Sequence, residues 1–461
     1  MKNIKISLIA AIAAGSFSAL DAKPLEEAIK DVEIGGSFRY RYDSFVPNFK
    51  YDGSGGTLYN SDLSGSQRHE VKASLTTKVS VGDGFKIVGT LSYNPDGETD
   101  GGFDGGALTK LPLYLEEAYL QYDSSPVFAT SILLGRQKLN TIWTDNDILQ
   151  GSAGMKAQLI NTAISGVTLT AFAVDSVNDD GDFVGAGLGK FDATNGSFAE
   201  YDDTNDAGTA FIAGKYPTLQ DAIFAQNLYG AAVLLDYGES VGVTGQAWFS
   251  YVNDRMAMYA VDLGYTLNFG DAGSWNIAAQ YLANNRLSYL KSAEFVAAAP
   301  AEMDGGALYT INTGVELFGF DANVGYTAYG KKDKFTINVF EDMGDIITAG
   351  EEIQNTAGSS LHGDTGANQF IFGGVGYTIA DLVRVGVDYV WGQTKLVGTG
   401  GDIKDKKQEI VGRLEYAHSD SLAFSAFYSY ITHKSDEFVD AAGDKQTQKQ
   451  NNIRFEARYD F

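Results

Sequence analysis

Cysteine is absent from the 461 residues, which excludes a disulfide framework, a thiolate metal site and a cysteine nucleophile. Proline is scarce, at 7 residues, and no proline-rich, serine-rich or single-charge stretch marks a linker. Length alone would allow about three domains of roughly 150 residues, but without a linker one large closed domain is the simpler expectation. Basic residues are few, 34 against 59 acidic, and a net charge of -25 excludes a nucleic-acid partner, whose phosphates a binder must neutralise. After the first 22 residues nothing approaches the ~18 to 20 consecutive apolar residues of a membrane-crossing helix. What the chain has in quantity is glycine (54), tyrosine (26) and phenylalanine (27), a composition of strands and turns.

Residues 1–22 predict a secretory signal: Lys2 and Lys5 precede an apolar stretch from Ile6 to Gly15, and small residues lead to cleavage after Ala22. Loss of Lys2, Lys5 and Asp21 would leave the mature chain at -26. Residues 23–461 are then expected to form a single domain.

Through that domain apolar and charged residues alternate with a period of two. Ile453, Phe455, Ala457, Tyr459 and Phe461 share one face, and Arg454, Glu456, Arg458 and Asp460 share the other. Phe38, Tyr40 and Tyr42 likewise oppose Ser37, Arg39 and Arg41, and Val71, Ala73 and Leu75 oppose Lys72, Ser74 and Thr76. Alternation alone fits a soluble sandwich with a dry core as well as a membrane barrel with a wet lumen. Segment length separates them. Breaks at Gly, Asp, Asn and Ser clusters delimit eighteen strands, most of them at or above the ~9 to 11 residues that a tilted bilayer crossing needs. Short connections such as 82–83, 125–127 and 239–240 alternate with long ones such as 44–67, 178–226, 285–304 and 332–366, and only 253–255 is short on the long side. One-sided loop growth predicts an all-β, transmembrane, antiparallel up-and-down β-barrel with short periplasmic turns and long extracellular loops. Aromatics near strand ends, among them Tyr42, Tyr122, Tyr281, Tyr389, Trp391 and Tyr459, fit interfacial girdles.

Several blocks resemble the major outer-membrane porins of Campylobacter and its relatives: PLEEAIKDV (Pro24 to Val32), RYRYD (Arg39 to Asp43), IWTDN (Ile142 to Asn146), TAFAVDS (Thr170 to Ser176) and YAVD (Tyr259 to Asp262). AGEEI (Ala349 to Ile353), GDTG (Gly363 to Gly366), RVGVDYVWGQTK (Arg384 to Lys395) and FSAFYSY (Phe424 to Tyr430) continue the likeness. The resemblance implies an eighteen-stranded homotrimeric barrel in the outer membrane of a Gram-negative bacterium, among phospholipid and lipopolysaccharide. Its work would be the diffusion of ions and small hydrophilic solutes through a water-filled channel.

A pore selects by width and by facing charge. The inferred lumen face supplies Arg39, Arg41, Lys72, Arg136, Lys138, Arg384, Arg413, Arg454 and Arg458, with Gly135–Gln137 standing where general porins place a constriction arginine. Opposing acids are Asp145 and Asp147 on the third long loop and Glu351 and Glu352 on the seventh. These loops are expected to fold inward, and the excess acid predicts weak cation selectivity. The same four acids are the candidate ligands for calcium, a hard cation that takes loop oxygens and that the resemblance places near the constriction. No cofactor is otherwise required. Leu149 stands where a gap-free match to the family would put its second acid. The Asp179, Asp180, Gly181, Asp182 run lacks the ligand spacing of an EF-hand. His69, His362, His418 and His433 sit in no nucleophile motif, so catalysis is not expected. A surface adhesin or structural barrel is the alternative reading, since long acidic loops serve either role.

Overall fold

The computed structural model describes residues 32–48, 66–93, 113–147, 149, 151–178, 183–184, 188–192, 197–200, 210–298, 303–341, 343–398, 401–439 and 445–461. The signal segment 1–22 and the acidic run 179–182 lie outside them.

Eighteen antiparallel strands close on themselves. The first seven are β1 (Val32–Asn48), β2 (Ser66–Gly82), β3 (Phe85–Tyr93), β4 (Leu113–Asp123), β5 (Thr130–Lys138), β6 (Ala153–Ile164) and β7 (Val167–Asn178). A separate two-stranded hairpin, β8 (Leu188–Asp192) and β9 (Ser197–Glu200), lies within the fourth long connection, which the sequence reading leaves without strands. The barrel resumes with β10 (Leu228–Tyr237), β11 (Val243–Val252), β12 (Met256–Asn268), β13 (Gly273–Arg286), β14 (Ala307–Leu317) and β15 (Phe320–Tyr329). It ends with β16 (Ala367–Ile379), β17 (Val383–Gly398), β18 (Gly401–Ser419), β19 (Leu422–Val439) and β20 (Lys445–Asp460). Strand β7 pairs with β10 across the hairpin, and β1 pairs with both β2 and β20, which closes the cylinder. The two-residue turn between β2 and β3 uses Asp83 and Gly84, both at positive φ (52° and 82°), the pattern whose twist suits a tight hairpin.

The alternation resolves into an inside and an outside. Val385, Val387, Tyr389 and Trp391 on β17 are all exposed, as are Ile410 and Leu414 on β18, while Thr394, Asp405, Lys407 and Glu409 between them are buried. Apolar outside and charged inside is the polarity of a membrane barrel, the inverse of a soluble sandwich. No helix among the described residues is long and apolar enough to span a membrane, so the crossing is made by strands.

One connection departs from expectation. Strands β17 and β18 run on to Gly398 and Gly401, so the eighth outer connection is as short as the fifth. The segment Asp402-Ile403-Lys404-Asp405 has no apolar stripe and reads as loop, with the strand expected only from 406. It extends the strand because inward side chains find partners inside the barrel: His433 bonds Asp405 at 2.9 Å, and Lys407 Nζ donates to the Ala357 carbonyl at 2.5 Å and to Ser359 Oγ at 2.7 Å.

The seam is fastened at Phe461, whose N–H donates to the Gly36 carbonyl (3.0 Å) and whose carbonyl accepts the Gly36 N–H (2.9 Å), with its ring 5.9 Å from that of Tyr459. Deleting Phe461 removes two hydrogen bonds, each worth about 0.5 to 1.5 kcal/mol, together with that ring. We expect a clear drop in the folded, heat-modifiable form on unboiled gels, and undiminished folded protein would show that the seam does not need it.

Candidate pore constriction

The third long loop, 139–152, joins β5 to β6 and turns into the barrel because its own residues demand it. Leu139, Ile142 and Trp143 are buried to within 1% of full coverage. The Trp143 ring meets those of Trp248 on β11 and Phe340 on the seventh loop, each at 6.3 Å. That seventh loop, 330–366, also folds inward, and the two loops share a seam. The amides of Phe340 (2.7 Å) and Glu341 (3.2 Å) donate to the Trp143 carbonyl, and Glu341 accepts from the Asp145 amide (3.1 Å) and the Ser152 hydroxyl (2.9 Å). Phe183 (tilted, 5.7 Å) and Phe224 (edge-on, 5.1 Å) of the fourth connection pack on Phe340, and the Met303 backbone of the sixth forms a β-bridge with Phe335. A continuous apolar core therefore sits inside the lumen, against a wall that runs from β7 through β10 to β17.

The rest of the lumen is lined by ion pairs. Arg39, 1% exposed, reaches Glu70 at 2.5 Å and Glu456 at 3.8 Å, and Lys72 stands 3.9 Å from Glu70. Arg41 meets Glu456 at 2.7 Å and Arg454 meets Asp43 at 2.6 Å. Arg413 holds Asp388 of the wall and Glu351 of the seventh loop. Arg458 on β20 holds Asp147 of the third loop at 2.5 Å. Lys138 secures the same loop, donating to the Asp147 carbonyl at 2.9 Å while pairing with Glu116 at 3.0 Å. Between wall and loops lies a cavity of about 260 Å³ lined by Arg41, Arg413, Arg454, Glu351, Glu415, Glu456 and the Phe427 ring.

Both inward loops thus carry an acid to the wall. Burial would raise the Asp147 carboxyl, but the Leu149 amide and the Arg458 guanidinium outweigh it and hold it below the usual carboxylate range. Glu352 goes the other way. Burial lifts it, and the neighbouring Glu351 and Asp43 carboxylates add to the rise against Asn355 and Arg454. Its amide, like that of Glu351, donates to Glu409.

Several predicted residues are placed differently. Arg136 is registered against Ala118 and Met155 on the same face as Leu134, which is the outward one, and its Nε donates to the Glu116 carbonyl at 2.8 Å. It does not meet the loop acids, and Arg458 takes that place. The alternation holds here, since Arg136 follows Ile132 and Leu134 on the outward face in ladders without a register shift; the likeness of Gly135–Gln137 to the constriction arginine of general porins is what had drawn it inward. Arg384 faces the lumen but lies just beyond the 380–382 turn, bound to Asp321 at 2.6 Å, at the barrel end opposite the loops. Asp145 receives the Asp147 amide at 2.8 Å as a turn acceptor.

The four acids do not fit a calcium site. Asp147 and Glu351 are each taken by a guanidinium, and among the described residues no group of three His, Asp or Glu side chains could hold a metal ion.

The lumen core itself is absent from the sequence reading, yet it had a signal. Trp248 and Phe172 face inward beside outward Phe249 and Ala171, Met256, Met258 and Ala260 face inward on β12, and Phe370 and Phe372 flank outward Ile371. Strands apolar on both faces have apolar matter on both sides.

A closed antiparallel barrel, apolar toward lipid and charged within, with loops folded into its bore, defines an outer-membrane porin channel. The sequence agrees: the family model of the Campylobacter major outer membrane protein matches residues 1–461, and the chain belongs to that family. The fold is similar to that of OccAB4 of Acinetobacter baumannii (14% identity, TM-score 0.58, 93% of this chain and 98% of that one). It is likewise similar to OpdL (13%, 0.60, 94% and 99%) and OccK8 (OprE) (12%, 0.59, 94% and 98%) of Pseudomonas aeruginosa. No curated protein matches the chain. The protein is therefore a channel of the Gram-negative outer membrane.

Proposed function

We propose that the channel is a general diffusion porin for ions and small hydrophilic solutes, constricted by the third and seventh loops and weakly cation-selective. The observation that carries this is the pairing of the lumen arginines: Arg39, Arg41, Arg384, Arg413, Arg454 and Arg458 each have a carboxylate partner. A matched wall contributes little net field, so the excess acid of the chain sets the sign. Export through cleavage after Ala22 and assembly as a homotrimer belong to the same reading.

Planar-bilayer recording in a salt gradient tests it. The reversal potential should show modest cation preference that fades toward 1 M salt, where the Debye length is ~3 Å. The Arg458–Asp147 pair is more than a quarter exposed on both sides, so it holds the loop by only about 0.2 to 1 kcal/mol. Asp147→Asn with Glu351→Gln should therefore leave the loops in place, unmask Arg458 and Arg413, and shift selectivity toward anions. An unchanged reversal potential in that variant would remove both acids from the conduction path.

A further inference from the structure

The outward face of β17 to β20 is layered. Exposed Trp391, Ile410 and Ile453 and half-buried Tyr430 mark the upper edge of the lipid-facing band. Two residues nearer the outer loops on each strand stand Gln393, Gln408, Asn451 and Thr432. Beyond these come Lys395, Lys404, Lys406, Lys434 and Lys449, all exposed. The inward positions between them, Thr394, Ile403, Asp405, Lys407 and His433, are buried, so the register points these lysines away from the lumen.

Their arrangement is costly for an isolated protein. Lys395 is directly opposite Lys404 across the β17–β18 ladder, and Lys406 is directly opposite Lys434 across β18–β19. Like charges so placed repel. The clustering does not reflect a basic chain, because acids outnumber bases 59 to 34. Among the described residues none of the five has a carboxylate within ion-pair distance, and Asp402 on the same face is engaged by Lys332 at 2.7 Å. From Ile410 to Lys406 is about 13 Å along the strand, or roughly 10 Å of height at a tilt of about 40°. That is head-group level above an apolar band.

We propose that this lysine patch is a docking site for the phosphate groups of the phosphorylated glycolipid in the outer leaflet. The surface is four strands, or about 14 Å, wide, and long lysine side chains reach around a compact anion of more than one charge. Burying phosphate among them relieves the cross-strand repulsion. Lysines near a head-group plane each strengthen binding to anionic lipid severalfold, and the partner's acyl chains would lie along the apolar face immediately below. The site is separate from the pore and does not depend on how the channel selects ions.

The test uses the full chain in detergent, titrated with purified lipid A, its dephosphorylated form and inorganic phosphate, and followed by native mass spectrometry. Wild type should prefer the phosphorylated lipid at least tenfold over the dephosphorylated one, and rising salt should weaken the preference. Lys395→Gln, Lys404→Gln, Lys406→Gln and Lys434→Gln combined should abolish that preference, the four arginine replacements should retain it, and Lys291→Gln on an outer loop should leave it intact. Conductance should be the same in all of them. Equal affinity for both lipids, or a glutamine variant that binds as wild type does, overturns the proposal. Inorganic phosphate bound as tightly as the lipid would make the patch a free-anion site, and an acidic protein retained in place of lipid would make it a protein contact. If the glutamine variant fails to fold, the salt dependence and the two-lipid comparison on wild type still decide.

Discussion

Trp143→Ala is expected to widen the channel and make it noisy without dismantling the barrel. The indole is 1% exposed, wedged between Trp248 of the wall and Phe340 of the seventh loop. Truncating so large a buried side chain costs about 3 to 5 kcal/mol. That outweighs the partly exposed Arg458–Asp147 pair several times over, so packing, not charge, holds the third loop inward. None of the strand-to-strand hydrogen bonds involves Trp143. The loss should therefore fall on the loop and on its seam with the seventh loop, where the Trp143 carbonyl takes two amides. Single-channel recordings should show higher mean conductance with frequent transitions, at near-normal folded yield. Steady conductance at the wild-type value would mean that the Lys138 and Glu341 contacts suffice to fix the loop.

The eighteen strands were legible because a lipid face and a wet face impose a strict two-residue period, which survives any sequence change that respects it. Residues such as Arg41, Arg413 and Arg454 were assignable inward for that reason alone. Legibility failed where something other than the period was followed or no apolar stripe marked it. Arg136 shares the outward face of Ile132 and Leu134 although the porin likeness of Gly135–Gln137 had drawn it inward, and the largely polar 402–405 segment conceals a strand whose neighbouring inward side chains are bonded by atoms distant in sequence. Ion pairs were harder still. That Asp147 would choose Arg458, 311 positions away, depends on how barrel closure brings β20 next to β1, a fact of topology and not of local pattern. Ile142 and Trp143 did announce an inward third loop, since two large apolar residues on an outer loop need cover. Of the partners supplying that cover, Trp248 stands on a strand, but Phe340 lies in a loop whose sequence carries no period to read.

A charge on the lipid face should be far more damaging than the loss of one in the lumen, and β17 offers both within two positions. Val387 points outward, half exposed, between Val375 and Gly412 on the neighbouring strands. Tyr377, opposite Val385, lies on the turn side of it, and Trp391 lies on the loop side, so Val387 is near the middle of the apolar band. Val387→Lys would place an ammonium there at a cost of about 2 to 4 kcal/mol, equivalent to a roughly 30- to 1000-fold loss in the folded-to-unfolded ratio. Val385→Lys, one step toward the Tyr377 ring, should cost less, because a lysine nearer the interface can extend its amine to water. Asp388 sits between these two faces of the argument. Its side chain points inward to Arg413, which keeps Glu351 as a second partner, so Asp388→Asn should fold normally and alter only conductance. Refolding into lipid vesicles, followed by the heat-modifiable gel shift, should rank folded yield as Asp388→Asn above Val385→Lys above Val387→Lys. Equal yields for the two lysine variants would place the bilayer centre elsewhere along β17, and a loss as large for Asp388→Asn would mean that the inward and outward faces are reversed.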